Sequence, residues 1–451
     1  MYIQKVSVSV FAKLKFLFKY VSSFYLLISD FRKNKSLAII LISAFNIVIN
    51  FILNFLFPAK ASVEAYGEYR YIVTLMAFSG IYHLGYTDGY YLESISQKKS
   101  LSVNVFYLLV LVMFLFFISD SIIMRNAFRN SHIFLSLLFL FIFLNFIQLF
   151  NVFNYINGSF LKPVFVQLLN SCLFLIILLT PLSFLITHDI YSFMMILNFI
   201  SLFLIVFISF KFISKELVLL NFLSLKSVSF KYHSRGIKSL LIGLIFLSLI
   251  NLDKIILKKS LLPLEYSYYC FSNSFLVSCL GLSLSLSNKF TNQIFSFESD
   301  QLRGFYLKTI RNITLVSIFL MILSLLFSLI IREYFPYYTN LIEYISPSFG
   351  LFNSLLIIQL VQGNFVKRYG REFIFISYYA IVLILIGIII NYFNDNLKQM
   401  LLILSFLLSF AIFIFQIILF KTHTKDLRYT LQSLLLYLTP FFLNIVFYIF
   451  N

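Results

Sequence analysis

The sequence predicts an all-α polytopic membrane protein, and three observations support this fold class. Of its 451 residues, 61% are hydrophobic and 12% are charged, and the mean hydropathy is +0.95. Soluble domains carry about 25% charged residues, so the apolar excess is expected to face lipid. The apolar residues also fall into stretches of about 20, which is the length that crosses a bilayer. Basic residues are concentrated in alternate connections between these stretches, as in the cytoplasmic loops of membrane proteins.

Twelve apolar stretches are predicted to span the membrane. Six precede and six follow a basic connection, residues 214–236. We therefore predict two six-helix bundles, residues 36–213 and 237–420, as parallel pseudo-repeats about an axis along the membrane normal. A thirteenth stretch, residues 429–450, is predicted as an additional C-terminal helix, in which Pro440 is tolerated. The twelve stretches are Ser36–Phe57, Tyr71–Leu92, Ser102–Ser119, His132–Ile156, Pro163–Leu185, Ile190–Ile213, Ile237–Leu257, Ser267–Ser287, Lys308–Ile331, Leu341–Gly363, Phe373–Asn391 and Leu397–Phe420.

The distribution of basic residues sets the predicted orientation. Residues 1–35 interleave basic with apolar side chains, which is typical of an amphipathic segment lying on the cytoplasmic surface of a membrane. With the N-terminus in the cytoplasm, 26 of the 35 Lys and Arg residues lie on the cytoplasmic side and 9 on the outer side. This asymmetry follows the positive-inside rule, so we expect a cytoplasmic N-terminus.

Composition also argues against several functions. The net charge of +18 is spread through the connections, so no basic face is predicted on which nucleic acid could lie. Cys172, Cys270 and Cys279 all fall inside apolar stretches, and we expect neither a disulfide framework nor a metal site. Glycine-rich nucleotide-binding motifs are missing. We therefore expect no cofactor, no metal and no catalytic residues.

Two related motifs lie around the first two helices of the two predicted bundles. In the first, residues 66–69 (Tyr-Gly-Glu-Tyr) are predicted to lie in an outer turn, and residues 84–89 (Leu-Gly-Tyr-Thr-Asp-Gly) end the second helix. In the second, residues 251–257 (Asn-Leu-Asp-Lys-Ile-Ile-Leu) are followed by residues 265–269 (Glu-Tyr-Ser-Tyr-Tyr), where Ser267 stands at the position of the glycine.

This pattern resembles the bacterial polysaccharide and O-antigen flippases of the multidrug, oligosaccharidyl-lipid and polysaccharide exporter superfamily. The resemblance implies a non-enzymatic protein of the bacterial inner membrane with twelve or fourteen helices. It implies that the protein moves a polyprenyl-pyrophosphate-linked oligosaccharide repeat unit across that membrane by alternating access. Expected partners are the lipid-linked oligosaccharide, membrane lipids and the polysaccharide polymerase machinery. The alternatives are an ion-coupled drug or cation antiporter of the same superfamily, or a membrane-embedded sugar polymerase or acyltransferase.

Amide side chains within the predicted helices are candidates for lining a substrate cavity. Amides in membrane helices either bind neighbouring helices or face a hydrated cavity, and both interpretations stay open. The three in the first helix are spaced by four residues and share one face. The candidates are Asn46, Asn50, Asn54, Asn145, Gln148, Asn273, Gln359 and Gln362.

Charged residues near the ends of helices are candidates for pyrophosphate binding or for coupling to an ion. Cations at helix ends either bind phosphate or extend to the membrane surface, and the candidates are Arg70, Lys254, Lys289 and Arg311.

The coupling candidates are His83, Asp88 and Asp253. Histidine is the side chain whose charge changes near neutral pH. Asp88 alternatively caps its helix or pairs with Lys98 or Lys99. Asp253 and Lys254 are adjacent, so their side chains project about 100° apart and are predicted not to form a simple pair.

Overall fold

A computed structural model defines the architecture. The predicted amphipathic segment lies outside the described residues, and only isolated positions of the predicted span 429–450 are described. The part of the chain that the structure describes comprises residues 35–60, 62–97, 105–119, 131–180, 189–216, 225–274, 299–334 and 351–420, with isolated positions between and after these ranges.

The described part of the chain is built from helices, and no β-strand occurs within it. Residues 351–356 are helical and lead into a π-helix. The elements are α1 (Lys35–Lys60), α2 (Val63–Ala77), a 3₁₀-helix (Phe78–His83), α3 (Tyr86–Gln97), α4 (Val105–Ser119), α5 (Ser131–Ile156), α6 (Leu161–Leu179), α7 (Ile190–Glu216), α8 (Leu225–Ser260), α9 (residues 263–274), α10 (Ser299–Tyr334), the π-helix (Ile357–Gln362), α11 (Gly363–Tyr369), α12 (Glu372–Tyr392) and α13 (Leu397–Phe420).

Six of the described helices are long and apolar enough to cross a membrane, namely α5, α6, α7, α8, α12 and α13. Two shorter apolar helices, Leu41–Phe57 and Tyr107–Ile118, lie within α1 and α4. Large apolar side chains project outwards from these helices: Phe117 is 73% exposed and Phe207 is 70% exposed. Such side chains are stable against hydrocarbon. The described part is therefore compatible with a multi-pass helical membrane protein.

The second predicted helix, Tyr71–Leu92, is interrupted. Helix α2 starts earlier, at Val63, and gives way to the 3₁₀-helix, after which Leu84 and Gly85 adopt positive φ angles of 45° and 78°. A left-handed leucine costs about 1–2 kcal/mol, so surrounding contacts must hold it. One such contact is the hydrogen bond between the Leu84 carbonyl and Nδ1 of His233, at 2.9 Å.

Residues 66–69 lie within α2, which corrects their predicted placement in an outer turn. The Ser62 hydroxyl caps this helix by accepting a hydrogen bond from the Ala65 amide, at 3.0 Å. A serine N-cap satisfies one of the otherwise unpaired amides of the first turn. It allows the helix to begin directly after α1, so the Tyr-Gly-Glu-Tyr motif presents its side chains from a helix.

Three glycines bring α3 and α8 into backbone contact. A Cβ atom on Gly89 would lie 1.8 Å from the Tyr232 carbonyl oxygen, and a Cβ on Gly236 would lie 1.8 Å from the Gly85 carbonyl oxygen. Gly85 and Gly89 form the small-xxx-small spacing that lets membrane helices approach closely. Helix α8, which carries Gly236, begins at Leu225, inside the predicted linker 214–236.

Helix α8 joins the two parts of the sequence. It packs against α2 and α3 on one side and against α12 on another, while α1 packs on α6, α5 on α7, and α12 on α13. The largest hydrophobic cluster draws residues from α1 through α13, including Phe57, Leu257 and Phe375. A smaller cluster around Tyr86, Phe153 and Tyr232 surrounds the glycine contact.

Two helical hairpins share the same construction. Helix α1 ends at Lys60 and α2 begins at Val63, while α8 ends at Ser260 and the helical residues 263–274 follow. The second hairpin therefore repeats the first at an offset of 200 residues, both where its first helix ends and where its second helix begins. Where the hairpins meet, a Cβ on Gly67 would lie 2.2 Å from Oγ of Ser267, so the glycine of one motif packs on the serine of the other.

We expect Gly89→Ala to destabilise the protein because its methyl group would collide with the backbone of α8. Overpacking of this kind costs about 1–3 kcal/mol, and the measurement is thermal unfolding in a mild detergent. The control is Gly387→Ala in α12, where a Cβ meets no atom within 4 Å. Equal unfolding midpoints for the two variants would contradict the backbone contact.

Candidate functional site

A cavity of about 670 Å³ lies beside the interruption between α2 and α3. Its walls come from the end of α2, the 3₁₀-helix, α3, α5, α6, α8 and α11. Apolar side chains of α2, α5 and α8 complete the lining. The polar side chains that line it are Ser79, His83, Asp88, Tyr91, Gln148, Asn151, Tyr155, Gln167, Ser239 and Lys367.

His83 is the polar side chain that the helix interruption places most directly. It ends the 3₁₀-helix and is 0% exposed, and neither ring nitrogen has a hydrogen-bond partner among the described residues. Both His83 and Gln148 lie beside Gly80, where a Cβ would be 3.6 Å from His83 Nε2 and 3.7 Å from Gln148 Oε1. The imidazole therefore borders the cavity with its hydrogen-bonding capacity unused.

Tyr91 and the amides of α5 and α6 continue this polar surface. The buried Tyr91 hydroxyl also has no hydrogen-bond partner in the described part of the chain. Gln148, Asn151 and Tyr155 follow one another along α5, and Gln167 approaches from α6. Amides and phenols both donate and accept hydrogen bonds. The wall can thus bind a ligand rich in hydroxyl groups.

Two opposite charges face the same cavity from different parts of the sequence. Asp88 lies in the first turn of α3, and Lys367 lies in the last turn of α11. Neither forms an ion pair with another described residue. Desolvation lowers the pKa of Lys367, and the carboxylates of Asp88 and Glu372 act in the opposite direction. The cavity therefore contains one cation and one anion that remain available.

The amides of the first helix form hydrogen bonds within that helix and with neighbouring helices, and they do not line this cavity. Asn50 donates to the Asn46 carbonyl and side-chain oxygens at 2.9 and 3.2 Å, and its own oxygen accepts from Ser171 at 3.4 Å. Asn54 accepts a hydrogen bond from the Tyr66 hydroxyl at 3.2 Å. The structure thus favours the helix-binding interpretation for this stripe.

Among the other predicted cavity residues, only Gln148 lines the cavity described here. Asn145 is 0% exposed and donates to the carbonyls of Ser79 and Phe141. Gln362 lies in the π-helix, where it bonds to Tyr379 and to the Ile412 carbonyl. Gln359, also in the π-helix, is not part of the cavity wall.

The coupling candidate Asp253 and the cation Lys254 lie in a second polar cluster, near the hairpin contact. The Asp253 carboxylate accepts hydrogen bonds from the Tyr269 hydroxyl and from Asn273 Nδ2. Nζ of Lys254 lies 3.4 Å from Asp253 Oδ1 and donates to the Ile250 carbonyl at 2.6 Å. The two neighbours therefore do interact, contrary to the prediction, because the long lysine side chain bends back along α8. Asn273 belongs to this cluster and not to the cavity.

An ion pair lies beside this cluster. Nζ of Lys258 is 2.5 Å from Glu68 Oε1, and the Tyr191 hydroxyl donates to the same carboxylate at 3.4 Å. Lys258 also lies over the rings of Tyr71 and Tyr266, at 5.7 and 5.0 Å from their centroids. These contacts join α2 to α8 at the hairpin ends.

The remaining predicted cations do not converge on the cavity. Arg70 is 8% exposed and lies on α2 near Tyr66, Tyr69, Tyr266 and Cys270. Arg311 is exposed on α10. Lys289 lies outside the described residues, as do Lys98 and Lys99, the predicted partners of Asp88.

Sequence reasoning missed the cation of the cavity. Lys367 follows the predicted span Leu341–Gly363 by four residues and was counted only among the cytoplasmic basic residues. Tyr91 was missed although it lies three positions after Asp88, on the same helix face. Spacing links Tyr91 to Asp88, but no local signal links Lys367 to either, since their proximity depends on the packing of α8 and α11.

The described residues contain no group of three or more His, Cys, Asp or Glu side chains that could hold a metal ion. Comparison of the sequence with protein-family models and with curated proteins gives no match. The described fold is compatible with a multi-pass helical membrane protein, and it contains a cavity whose lining includes ten polar side chains.

We expect a cysteine at position 151 to react with a small maleimide, because Asn151 lines the cavity. Asn145→Cys on the same helix is the control and should stay unreactive, because Asn145 is 0% exposed. Both variants are made in a chain whose three native cysteines are replaced by serine, and labelling is read by mass spectrometry. Equal labelling of the two positions would contradict the position of the cavity.

Proposed function

We propose that the protein is a flippase that moves a polyprenyl-pyrophosphate-linked oligosaccharide across the bacterial inner membrane. The oligosaccharide and pyrophosphate enter the cavity while the polyprenyl chain stays in the lipid. The observation that carries this proposal is the polar cavity itself. It contains buried groups of His83 and Tyr91 without partners, inside helices whose outer surface is apolar.

Unpaired polar groups support a ligand-binding role. A buried donor or acceptor without a partner costs about 1–3 kcal/mol, and the cost is removed when a ligand bonds to it. Sugar hydroxyls both donate and accept, so they suit imidazole, phenol and amide groups together. The volume of about 670 Å³ falls within the range typical of small-molecule sites. Lys367 supplies a positive charge for the pyrophosphate.

The two hairpins support the proposed arrangement as parallel pseudo-repeats. Their helices correspond at a constant offset, and Gly67 of one packs on Ser267 of the other. With a cytoplasmic N-terminus, the cavity lies towards the cytoplasm and the hairpin contact lies towards the outside. We infer that this is an inward-facing state, and that alternating access opens the hairpin contact as the cavity closes. A substrate shifts this equilibrium only if it binds the two states with different affinity.

A second candidate is an ion-coupled antiporter of the same superfamily, and Asp88 favours it. This carboxylate lines the cavity without an ion pair among the described residues. An acid in such a position can bind a proton or a cationic drug. The two candidates differ in cargo: lipid-linked sugar for the flippase, and a soluble cation exchanged against a gradient for the antiporter.

We expect Gln148→Ala to slow flipping about fivefold, the effect of losing one hydrogen bond of about 1 kcal/mol. The protein is reconstituted in vesicles, and the lipid-linked oligosaccharide that becomes accessible to a lectin is followed over time. Gln399→Ala, at an exposed position of α13, is the control and should match the parent. Movement no faster than in protein-free vesicles would contradict the flippase proposal, and gradient-driven export of a cationic dye instead would favour the antiporter.

We expect a disulfide between Gly67→Cys and Ser267→Cys to stop transport by holding the hairpins together. A Cβ at position 67 would lie 3.3 Å from the Ser267 Cβ, close to the separation of about 3.5–4.5 Å in disulfides. Oxidation should abolish flipping by the double variant, and a reductant should restore it, while each single variant is insensitive to both. Full activity of the oxidised, cross-linked protein would show that this contact does not open during transport.

A further inference from the structure

Asp88 is the one acidic side chain that lines the cavity within the described part of the chain. It is half-buried in the first turn of α3 and forms no ion pair with another described residue. The carboxylates of Asp88 and Glu372 both act electrostatically on Lys367, so Lys367 has a second acid near it. A carboxylate away from bulk water is costly unless it meets a positive charge. Asp88 is therefore available to a positively charged group of a ligand.

Two further hydrogen-bond acceptors lie in the same part of the cavity. His83 is 0% exposed, neither ring nitrogen has a described partner, and the ring interacts electrostatically with Asp88. Gln148 lies beside it, since a Cβ on Gly80 would be 3.6 Å from His83 Nε2 and 3.7 Å from Gln148 Oε1. A carboxylate only accepts hydrogen bonds, while an uncharged imidazole and an amide each accept as well as donate. These three side chains make this part of the wall rich in acceptors.

An ammonium group matches these acceptors better than a hydroxyl group does. An alkylammonium carries a positive charge and three N–H donors, whereas a hydroxyl donates one hydrogen bond. One ammonium can therefore supply a donor for each of Asp88, His83 and Gln148. Its bond to the carboxylate joins two charged groups, and such bonds are about twice as strong as those between neutral groups.

The charge of the proposed substrate strengthens this requirement. If Lys367 binds the pyrophosphate, a head group of pyrophosphate and uncharged sugars brings only negative charge into a cavity that already contains Asp88. Such a head group leaves the carboxylate unpaired near like charges, which disfavours its binding. A head group that carries an ammonium as well as pyrophosphate supplies an opposite charge for both Asp88 and Lys367.

We propose that Asp88, His83 and Gln148 form an ammonium subsite, and that the transported oligosaccharide contains a sugar with a free amino group. The proposal rests on the flippase function, because it specifies the substrate of that same cavity. N-acetylation of the amino sugar removes the charge and leaves one N–H donor of three. The subsite consequently distinguishes an amino sugar from its N-acetylated form.

Two matched ligands test the subsite: a polyprenyl pyrophosphate that carries glucosamine, and the same lipid carrying N-acetylglucosamine. Binding to the full chain in phosphatidylcholine nanodiscs is measured calorimetrically at about pH 6.5, where an amine is protonated and a carboxylate is ionised. The parent should bind the amino form at least about tenfold more tightly, and Asp88→Asn should reduce this preference to within about twofold. Equal binding of both forms by the parent, or an unchanged preference in Asp88→Asn, would overturn the proposal.

The matched control is Asp395→Asn, which removes an exposed carboxylate between α12 and α13 and should keep the preference of the parent. Thermal unfolding checks that Asp88→Asn is folded. If it is not, Gln148→Ala decides, because the loss of one acceptor should lower the preference about fivefold. An unchanged preference in that variant would overturn the proposal.

Competition by soluble amines identifies the source of the ammonium. Free glucosamine should displace the lipid-linked amino form at a lower concentration than ethanolamine, which has the ammonium but no sugar ring. Equal displacement by the two would assign the subsite to amines in general and overturn its assignment to a sugar.

Transport of the same two lipids into reconstituted vesicles separates this proposal from the flippase function. Movement of neither lipid, with the binding preference intact, would contradict the flippase function and leave the ammonium subsite in place. Movement of both lipids at equal rates by the parent would support the flippase function and overturn the ammonium subsite.

Discussion

The backbone contact between α3 and α8 is the constraint on which the described structure depends. Gly85, Gly89 and Gly236 remove the side chains that would keep these helices apart. Helix α8 consequently lies against the interruption that follows α2, and its face becomes a wall of the cavity. The contact also places His233 where its ring can form a hydrogen bond with the carbonyl of Leu84, the residue with the left-handed backbone. Packing, helix geometry and the cavity thus share one cause.

Polar groups in the described helices fall into two classes according to their partners. Many are satisfied locally: Asn50 and Gln362 bond to neighbouring helices or to their own backbone. Others have buried atoms without a partner among the described residues, and these include both ring nitrogens of His83 and the Tyr91 hydroxyl in the cavity, as well as atoms elsewhere such as Ser43 Oγ and Thr314 Oγ1. In hydrocarbon an unpaired polar group is costly, so the unsatisfied groups are more informative about function than the number of polar residues.

The sequence predicted the helical membrane class, and the described helices agree with it because hydrophobic length is a local property. Predictions for individual residues depend on packing that helical spacing alone does not show. The stripe of Asn46, Asn50 and Asn54 satisfied the helical spacing expected of a cavity wall, yet its members bond to one another and to neighbouring helices. Spacing shows which residues share a face but not what that face meets. Asp88 and Lys367 are 279 positions apart, so only the folded chain brings them to one cavity.

The two glycines of the Leu-Gly-Tyr-Thr-Asp-Gly segment have a structural role that the motif alone did not indicate. The Leu-Gly-Tyr-Thr-Asp-Gly segment predicted a special helix end, and the structure shows that its two glycines serve a backbone contact while its aspartate lines the cavity. One short segment therefore supplies both the glycines of a helix contact and a side chain that lines the cavity. Substitutions at Gly89 and at Asp88 would act on different parts of the structure, although the residues are adjacent.

The contact of α8 with α3 also bears on where the protein can divide during a conformational change. Helix α8 belongs by sequence to the second predicted bundle, but its first half touches α3 backbone to backbone. At the three glycines no side chain separates the two backbones, so the helices cannot slide there without collision. The contact between α8 and α12 includes side chains, such as Lys238 over the ring of Phe373, and side chains can change rotamer. The boundary between the parts that move would then lie between α8 and α12. Helix α8 would move together with the residues that precede it in the chain.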